Sequence, residues 1–250
     1  MTELEVAHGV TVTAIPLDLG SLSVGADLSS VVAAAGLRLP GIINKAGFGT
    51  FGNFVEEDLD RLAQEIAFDI SAPVQISSTF LPGMVAAGTG FLINVASMAA
   101  YTPTPRVAVY GAAKAFVLSF TEALWAETRA PGVTVFALSP GATSTEFNAV
   151  VGTDDATAGT ADDVVATALT YLERRNPGPS VIDGSSNQLS SNIGRLMSRR
   201  AIAILMHRLT DPARRRRAAT ADGATSATDT HHGCQRHSAT KRRVSWQILS

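Results

Sequence analysis

Short apolar runs rich in β-branched residues alternate along most of this chain with longer stretches of helical periodicity. The runs are Val10–Leu17, Gly41–Asn44, Gly90–Ala96 and Thr134–Leu138. Their nearly continuous apolar character predicts strands buried on both faces of a parallel sheet. Helical spacing covers Ala26–Ala35, Glu56–Ala87 with a break, Tyr110–Arg129 and Ala161–Arg174. Glu56, Glu57, Asp58 and Asp60 gather where the second of these begins, at the positive end of a helix dipole. Strand and helix in alternation predict an α/β sheet with right-handed crossovers. Ligands of such sheets sit outside the carboxyl ends of the strands, which directs attention to Asp18, Asn44–Gly47, Ser97 and Ser139–Thr145.

Composition supports one folded body and separates it from a tail. Of the 250 residues, 46% are hydrophobic and 17% charged, enough apolar material for a sizeable core. The net charge of −2 hides an asymmetry: residues 1–194 hold 8 basic and 19 acidic residues, and the remainder holds 12 basic and 3 acidic. From about Asp211 the text is Arg-, Ala-, Thr- and Ser-rich without apolar periodicity, so the expected organisation is a domain over 1–210 and a disordered basic tail over 211–250. MTELEVAHG at the start is acidic and polar, unlike a signal peptide, and the apolar run Ala201–Met206 is too short to cross a bilayer. Cys234 stands alone, so no internal disulfide framework is expected. The expected location is the cytoplasm.

Tyr110 and Lys114 lie four residues apart, on one face of a helix, and Ser97 follows the strand before it. A phenol with an ordinary pKa near ~10 is a poor acid/base at neutral pH, but a nearby ammonium favours the phenolate. At about 4 Å and an effective dielectric of about 20 that attraction is on the order of 4 kcal/mol. A serine hydroxyl can hydrogen-bond a substrate oxygen while the phenol gives or takes a proton, a set suited to hydride transfer between a nicotinamide and an alcohol or carbonyl.

Four elements in order, Asn44-Lys45-Ala46-Gly47, Ser97, Tyr110-Gly111-Ala112-Ala113-Lys114 and Ser139–Thr145 with its Pro140-Gly141 turn, resemble the short-chain dehydrogenase/reductase family over about residues 1–185. The resemblance implies a Rossmann-like, doubly wound parallel sheet with a C-terminal helical segment. It implies Tyr110 as catalytic acid/base, Lys114 as the ribose-binding residue that lowers the tyrosine pKa, and Ser97 as the substrate-orienting hydroxyl. Asp69 takes the place of the asparagine that the family uses to hold a relay water. Asp18, Asn44, Ala46, Gly47, Tyr110, Lys114, Pro140, Gly141, Thr143 and Thr145 fall on cofactor-contacting positions. The implied cofactor is NAD or NADP, the substrate a hydrophobic alcohol or carbonyl compound, and the assembly a homodimer or homotetramer.

The family's opening strand and its T-G-x-x-x-G-x-G turn, whose helix receives the pyrophosphate, have no match in residues 1–250. The fold expected is therefore truncated on its N-terminal side. In the family's strand order two strands would lie between Val10–Leu17 and Gly41–Asn44, so these runs either leave a gap or pair directly. Three readings follow: an active oxidoreductase, an inactive remnant of one, or an interaction protein acting through its basic tail.

The tail offers further candidates. His231, His232, Cys234 and His237 are metal-ligating types without a standard zinc spacing, so no metal site is expected. Arg214–Arg217 and Lys241–Arg243 are basic runs with Trp246 the only aromatic nearby, and no nucleic-acid partner is expected. Ile193–Leu209 mixes apolar and basic residues at helical spacing, suited to a membrane surface or, more simply, to covering the sheet.

Overall fold

A computed structural model describes residues 3–129, 132–143 and 159–211. Asp18–His207 forms one compact unit, and the residues before and after it are grouped apart. Within that unit four parallel strands run in the order β1 (Gly41–Asn44), β2 (Gly90–Val95), β3 (Val133–Ser139), β4 (Ser180–Ile182). Ile42 sits opposite Leu92, Ile93 opposite Phe136 and Leu138 opposite Val181, which fixes the register across the sheet. The first three strands coincide with the apolar runs to within a residue at either end; β4 was not expected, because Ser-Val-Ile is too short to show a period.

Both faces of β2 and β3 are covered, as their unbroken apolar character requires. On one face Ile93, Phe136 and Leu138 pack with Tyr171 of α6 (Ala161–Leu172). Phe136 and Tyr171 meet edge to face at 5.0 Å, and the Tyr171 hydroxyl donates to the Ser180 carbonyl at 3.0 Å, joining α6 to β4. On the other face Ala96 and Ala137 pack with Val117 and Leu118 of α5 (Ala108–Glu127). Helix α6 starts at a reciprocal cap: Thr160 Oγ1 accepts from the Asp163 N–H at 3.1 Å and Asp163 Oδ2 accepts from the Thr160 N–H at 3.3 Å. Thr160→Ala is expected to cost about 1 kcal/mol in urea unfolding, because it orphans a backbone donor; an unchanged midpoint would show that the cap adds nothing.

The run Val10–Leu17 is the main departure. No strand forms between α1 (Glu3–His8) and α2 (Val24–Ala34); residues 9–18 have no regular structure and their side chains are exposed or half-buried. Neither expected outcome, a gapped sheet or direct pairing with β1, occurs among the described residues, where β1 pairs with β2 alone. A β-rich sequence expresses a tendency to be buried, but a strand exists only when a neighbour supplies ladder hydrogen bonds to offset its lost entropy.

The long helical stretch at 56–87 is divided. A 3₁₀ turn at Phe54–Glu56 precedes α3 (Leu59–Ile66), which opens on Asp58 accepting from the Arg61 N–H at 2.9 Å. A π turn at Ala67–Ser71 then leads into α4 (Ala72–Ala87). Pro73 explains the widening: it has no N–H to return to the Asp69 carbonyl, and its ring would clash there in regular α geometry. At the C-terminal end, the expected helix at 193–209 is interrupted at Met197–Ser198, dividing α7 (Ser185–Leu196) from α8 (Arg199–Leu209). Among the described residues no helix is long and apolar enough to cross a membrane.

Candidate active site

The carboxyl ends of β1, β2 and β3 bring the expected residues together. Ser97 follows β2 in extended backbone and caps the short turn Met98–Ala100, its Oγ accepting from the Ala99 N–H at 3.1 Å. The Met98 N–H donates to the Pro140 carbonyl at 3.0 Å, so the serine turn is tied to the Pro140-Gly141 turn after β3. Across from it α5 presents Tyr110 and Lys114 one turn apart. The helix start is set by Arg106, the one non-glycine with a positive φ (74°) among the described residues. It is also set by Gly111, where a Cβ would collide with the Thr104 side chain.

Lys114 is buried, with its Nζ 3.2 Å from the Val95 carbonyl that accepts its hydrogen bond, 3.9 Å from Asp69 Oδ1 and 5.5 Å from the centre of the Tyr110 ring. Burial pushes the Lys114 ammonium below its ordinary pKa, opposed by the carboxylates of Asp69 and Glu65. Asp69 is fully buried, and neither carboxylate oxygen has a hydrogen-bond partner. Burial pushes it up to about 6, opposed by the Lys114 charge and reinforced by Glu65. The backbone amide of Phe48 also favours the carboxylate, without meeting hydrogen-bond geometry.

For Tyr110 burial is the largest influence. Burial raises its phenol well above the ordinary value; the nearby Ser97 side chain opposes the rise, and the carboxylates of Asp69 and Glu65 add to it. Lys114 Nζ lies 5.5 Å from the ring centre, close enough for its charge to favour the phenolate, and that charge is shared with Asp69 at 3.9 Å.

The cofactor-type positions are dispersed in their engagements. Gly47 lies against the Asp69–Lys114 pair: a Cβ there would collide with the Asp69 carboxylate and stand 3.2 Å from Lys114 Nζ. Asn44 does not offer its amide nitrogen to the crevice; it donates to Asn94 Oδ1 at 2.8 Å and to Ser77 at 3.4 Å. Asn94 in turn donates to Thr121 on α5 at 2.9 Å, so this network ties strand ends to the helix that carries Tyr110. Asp18 Oδ1 accepts from the Gly20 N–H at 2.9 Å in a local turn. Gly141 accepts from the Thr143 hydroxyl at 3.1 Å, and a Cβ on Gly141 would meet the Asn187 amide. Ala46 is half-buried between Asn44 and Gly47, while Lys45 points to solvent.

Thr145 lies outside the described residues, as do His231, His232, Cys234, His237, Arg214–Arg217, Lys241–Arg243 and Trp246. Among the described residues no cluster of metal-ligating side chains occurs. Sequence reasoning missed Glu65 and Thr50. Glu65 was legible only as a residue one helical turn before Asp69, a spacing that many solvated glutamates share.

Comparison with known proteins identifies the family. The short chain dehydrogenase family matches residues 1–156. The uncharacterized oxidoreductase YohF of Escherichia coli (strain K12) is 32% identical over 152 residues, covering 60% of this chain and 58% of that protein. A very-long-chain 3-oxoacyl-CoA reductase of Laccaria bicolor is 28% identical over 141 residues, covering 53% of this chain and 40% of that protein. The chain thus spans less than two thirds of the length of these relatives. Among solved structures, a short-chain dehydrogenase from Sphingobium yanoikuyae in complex with NADPH is 28% identical with a TM-score of 0.65, covering 77% of this chain and 76% of that one. A 7beta-hydroxysteroid dehydrogenase shares the fold, with a TM-score of 0.71 at 22% identity over 82% of this chain and 80% of that one. A family pattern matched over more than half of the chain, on a parallel sheet whose strand ends gather Ser97, Tyr110 and Lys114, places this protein in the short chain dehydrogenase family.

Proposed function

We propose that this chain carries the acid/base half of an NAD- or NADP-dependent oxidoreductase acting on a small hydroxyl or carbonyl compound. The observation that carries the reading is the Tyr110 hydroxyl beside the Ser97 side chain, one helical turn from a buried lysine. Tyr110 gives a proton to the substrate oxygen during reduction and takes it back during oxidation. Ser97 donates to the same oxygen and fixes its direction.

The residues present fit the nicotinamide and ribose half of such a cofactor. Lys114 spends one donor on Val95 and keeps others for ribose hydroxyls, and Gly47 lets the backbone approach the Asp69–Lys114 pair where any Cβ would collide with the Asp69 carboxylate. When bound, the nicotinamide supplies or accepts hydride. For the pyrophosphate half, no T-G-x-x-x-G-x-G turn occurs in the sequence. A second reading is that residues 1–250 taken alone do not hold the cofactor.

Calorimetric titration of the chain with NADP(H) and NAD(H) separates the two readings. Saturable binding lost in Gly47→Val supports the first; no heat with either nucleotide supports the second. Assembly through α5 is supported by its stacked Phe116 and Phe120, 5.7 Å apart, with Phe116 exposed.

A further inference from the structure

Glu65 on α3 has no exposed surface, an expensive place for a carboxyl group unless something holds it. It is held on one side. Oε2 accepts from the Thr50 backbone N–H at 3.0 Å and from the Thr50 hydroxyl at 2.9 Å, while Oε1 has no hydrogen-bond partner. Thr50 ends a segment whose other residues lie against the reacting groups. Gly47 abuts Asp69 and Lys114, and a Cβ on Gly49 would stand 3.2 Å from the Tyr110 ring. Beyond Thr50, the Gly52 N–H donates to the Arg106 carbonyl at 2.8 Å, just ahead of α5. The segment is therefore pinned after Gly49 by α3 and again by the approach to α5.

We propose that Glu65 is a positioning residue: through its two bonds to Thr50 it fixes residues 47–50 between the Tyr110 ring and the Asp69–Lys114 pair. This inference rests on the reading of Tyr110 as the acid/base. Two bonds to one carboxylate oxygen are charge-assisted and stronger than neutral ones, as a clamp on a glycine-rich segment requires. Without it, Gly47 and Gly49 have no side chains to hold their place, and the floor under the phenol loosens. The Glu65 charge acts on the same group, since it helps to raise the Tyr110 pKa. Glu65 itself faces Glu57 and Arg61 beside it and lies near Asp69 and Lys114.

Glu65→Gln and Glu65→Ala separate clamp from charge, because the glutamine oxygen can still accept from Thr50. Three readouts are taken on the whole chain: amide exchange at Thr50, the phenol titration of Tyr110, and kcat and KM with NADPH and a carbonyl substrate. The chain has 3 tyrosines, so the difference between each variant with and without Tyr110→Phe isolates the one phenol. Glu65→Ala is expected to speed Thr50 exchange by about tenfold or more and to lower kcat by about tenfold with little change in KM. Glu65→Gln is expected to keep the exchange rate and most of kcat. Both variants should titrate Tyr110 at lower pH than wild type.

Unchanged exchange at Thr50 in Glu65→Ala overturns the clamp. Equal loss of kcat in Gln and Ala overturns it as well, since charge alone would then be responsible. If Glu65→Ala does not fold, Thr50→Val removes the hydroxyl bond from the other side. Unaltered Tyr110 titration and kcat in that variant count against the proposal, and a loss of kcat supports it. If wild type turns over no substrate, the oxidoreductase reading falls while exchange and titration still decide what Glu65 does.

Discussion

Tyr110→Phe is expected to lower kcat by a factor on the order of 10³ while leaving the melting temperature nearly unchanged, as removal of a general acid/base does. The ring survives the substitution and keeps its contact with Gly49, so packing is preserved; only the hydroxyl beside Ser97 is lost. The raised phenol pKa adds a directional expectation. Because burial keeps Tyr110 protonated throughout the neutral range, carbonyl reduction, which needs the phenol, should proceed on a plateau there. Alcohol oxidation needs the phenolate and should climb with pH towards the alkaline limit of the assay. Steady-state rates in both directions across pH check this, and turnover retained by the phenylalanine variant would remove Tyr110 from the chemistry.

Asp69→Asn should stabilise the protein at neutral pH, the reverse of what loss of an ion pair is usually expected to do. Asp69 is fully buried and its carboxyl is pushed from 3.8 to about 6, so the fold prefers the protonated form. Stability contributed by that preference is complete below the unfolded pKa and is lost as pH rises through the folded one. At about 1.36 kcal/mol per pKa unit, the shift corresponds to about 3 kcal/mol lost between roughly pH 4 and pH 6. Asparagine has nearly the same shape and cannot ionise.

The attraction to Lys114 at 3.9 Å is already contained in that shift, since it holds the Asp69 carboxyl down against burial. The net gain at pH 7 is therefore expected to be up to about 3 kcal/mol, vanishing near pH 4. Urea unfolding of both proteins at the two pH values measures it. A variant less stable than wild type at pH 7 would mean that the Asp69–Lys114 attraction outweighs the cost of burying the pair. The same substitution puts the asparagine of the family pattern at this position, so kcat can be followed on the same samples.

Local pattern was sufficient for much of the frame. The runs at Gly90 and Thr134 became β2 and β3 because strands covered on both faces need no polar alternation, whereas the run at Gly41 became the edge strand β1, whose Ile43 is exposed. The helix bearing Tyr110 and Lys114 was legible from its period, and the pairing of those two residues from their spacing. Pro73 was visible in the sequence, but that it would widen the helix at Asp69 was not, since the effect depends on the helix continuing through it. Val10–Leu17 had the same pattern as the strands and did not become one, because pairing is a property of two segments and composition reports on one.

The sequence by itself thus determined which groups are candidates for the chemistry: a serine, a tyrosine and a lysine, each placed on an element whose direction its own residues dictate. Tertiary structure decided the state of those groups. Glu65 and Asp69 came to flank Lys114 only when α3 and the π turn packed against α5, and a loop glycine came to rest on the phenol only because Thr50 found a buried acceptor. Protonation follows from distance and burial, which no single segment carries, so the raised pKa of Tyr110, the unpartnered Asp69 carboxyl and the half-satisfied Glu65 belong to the fold alone.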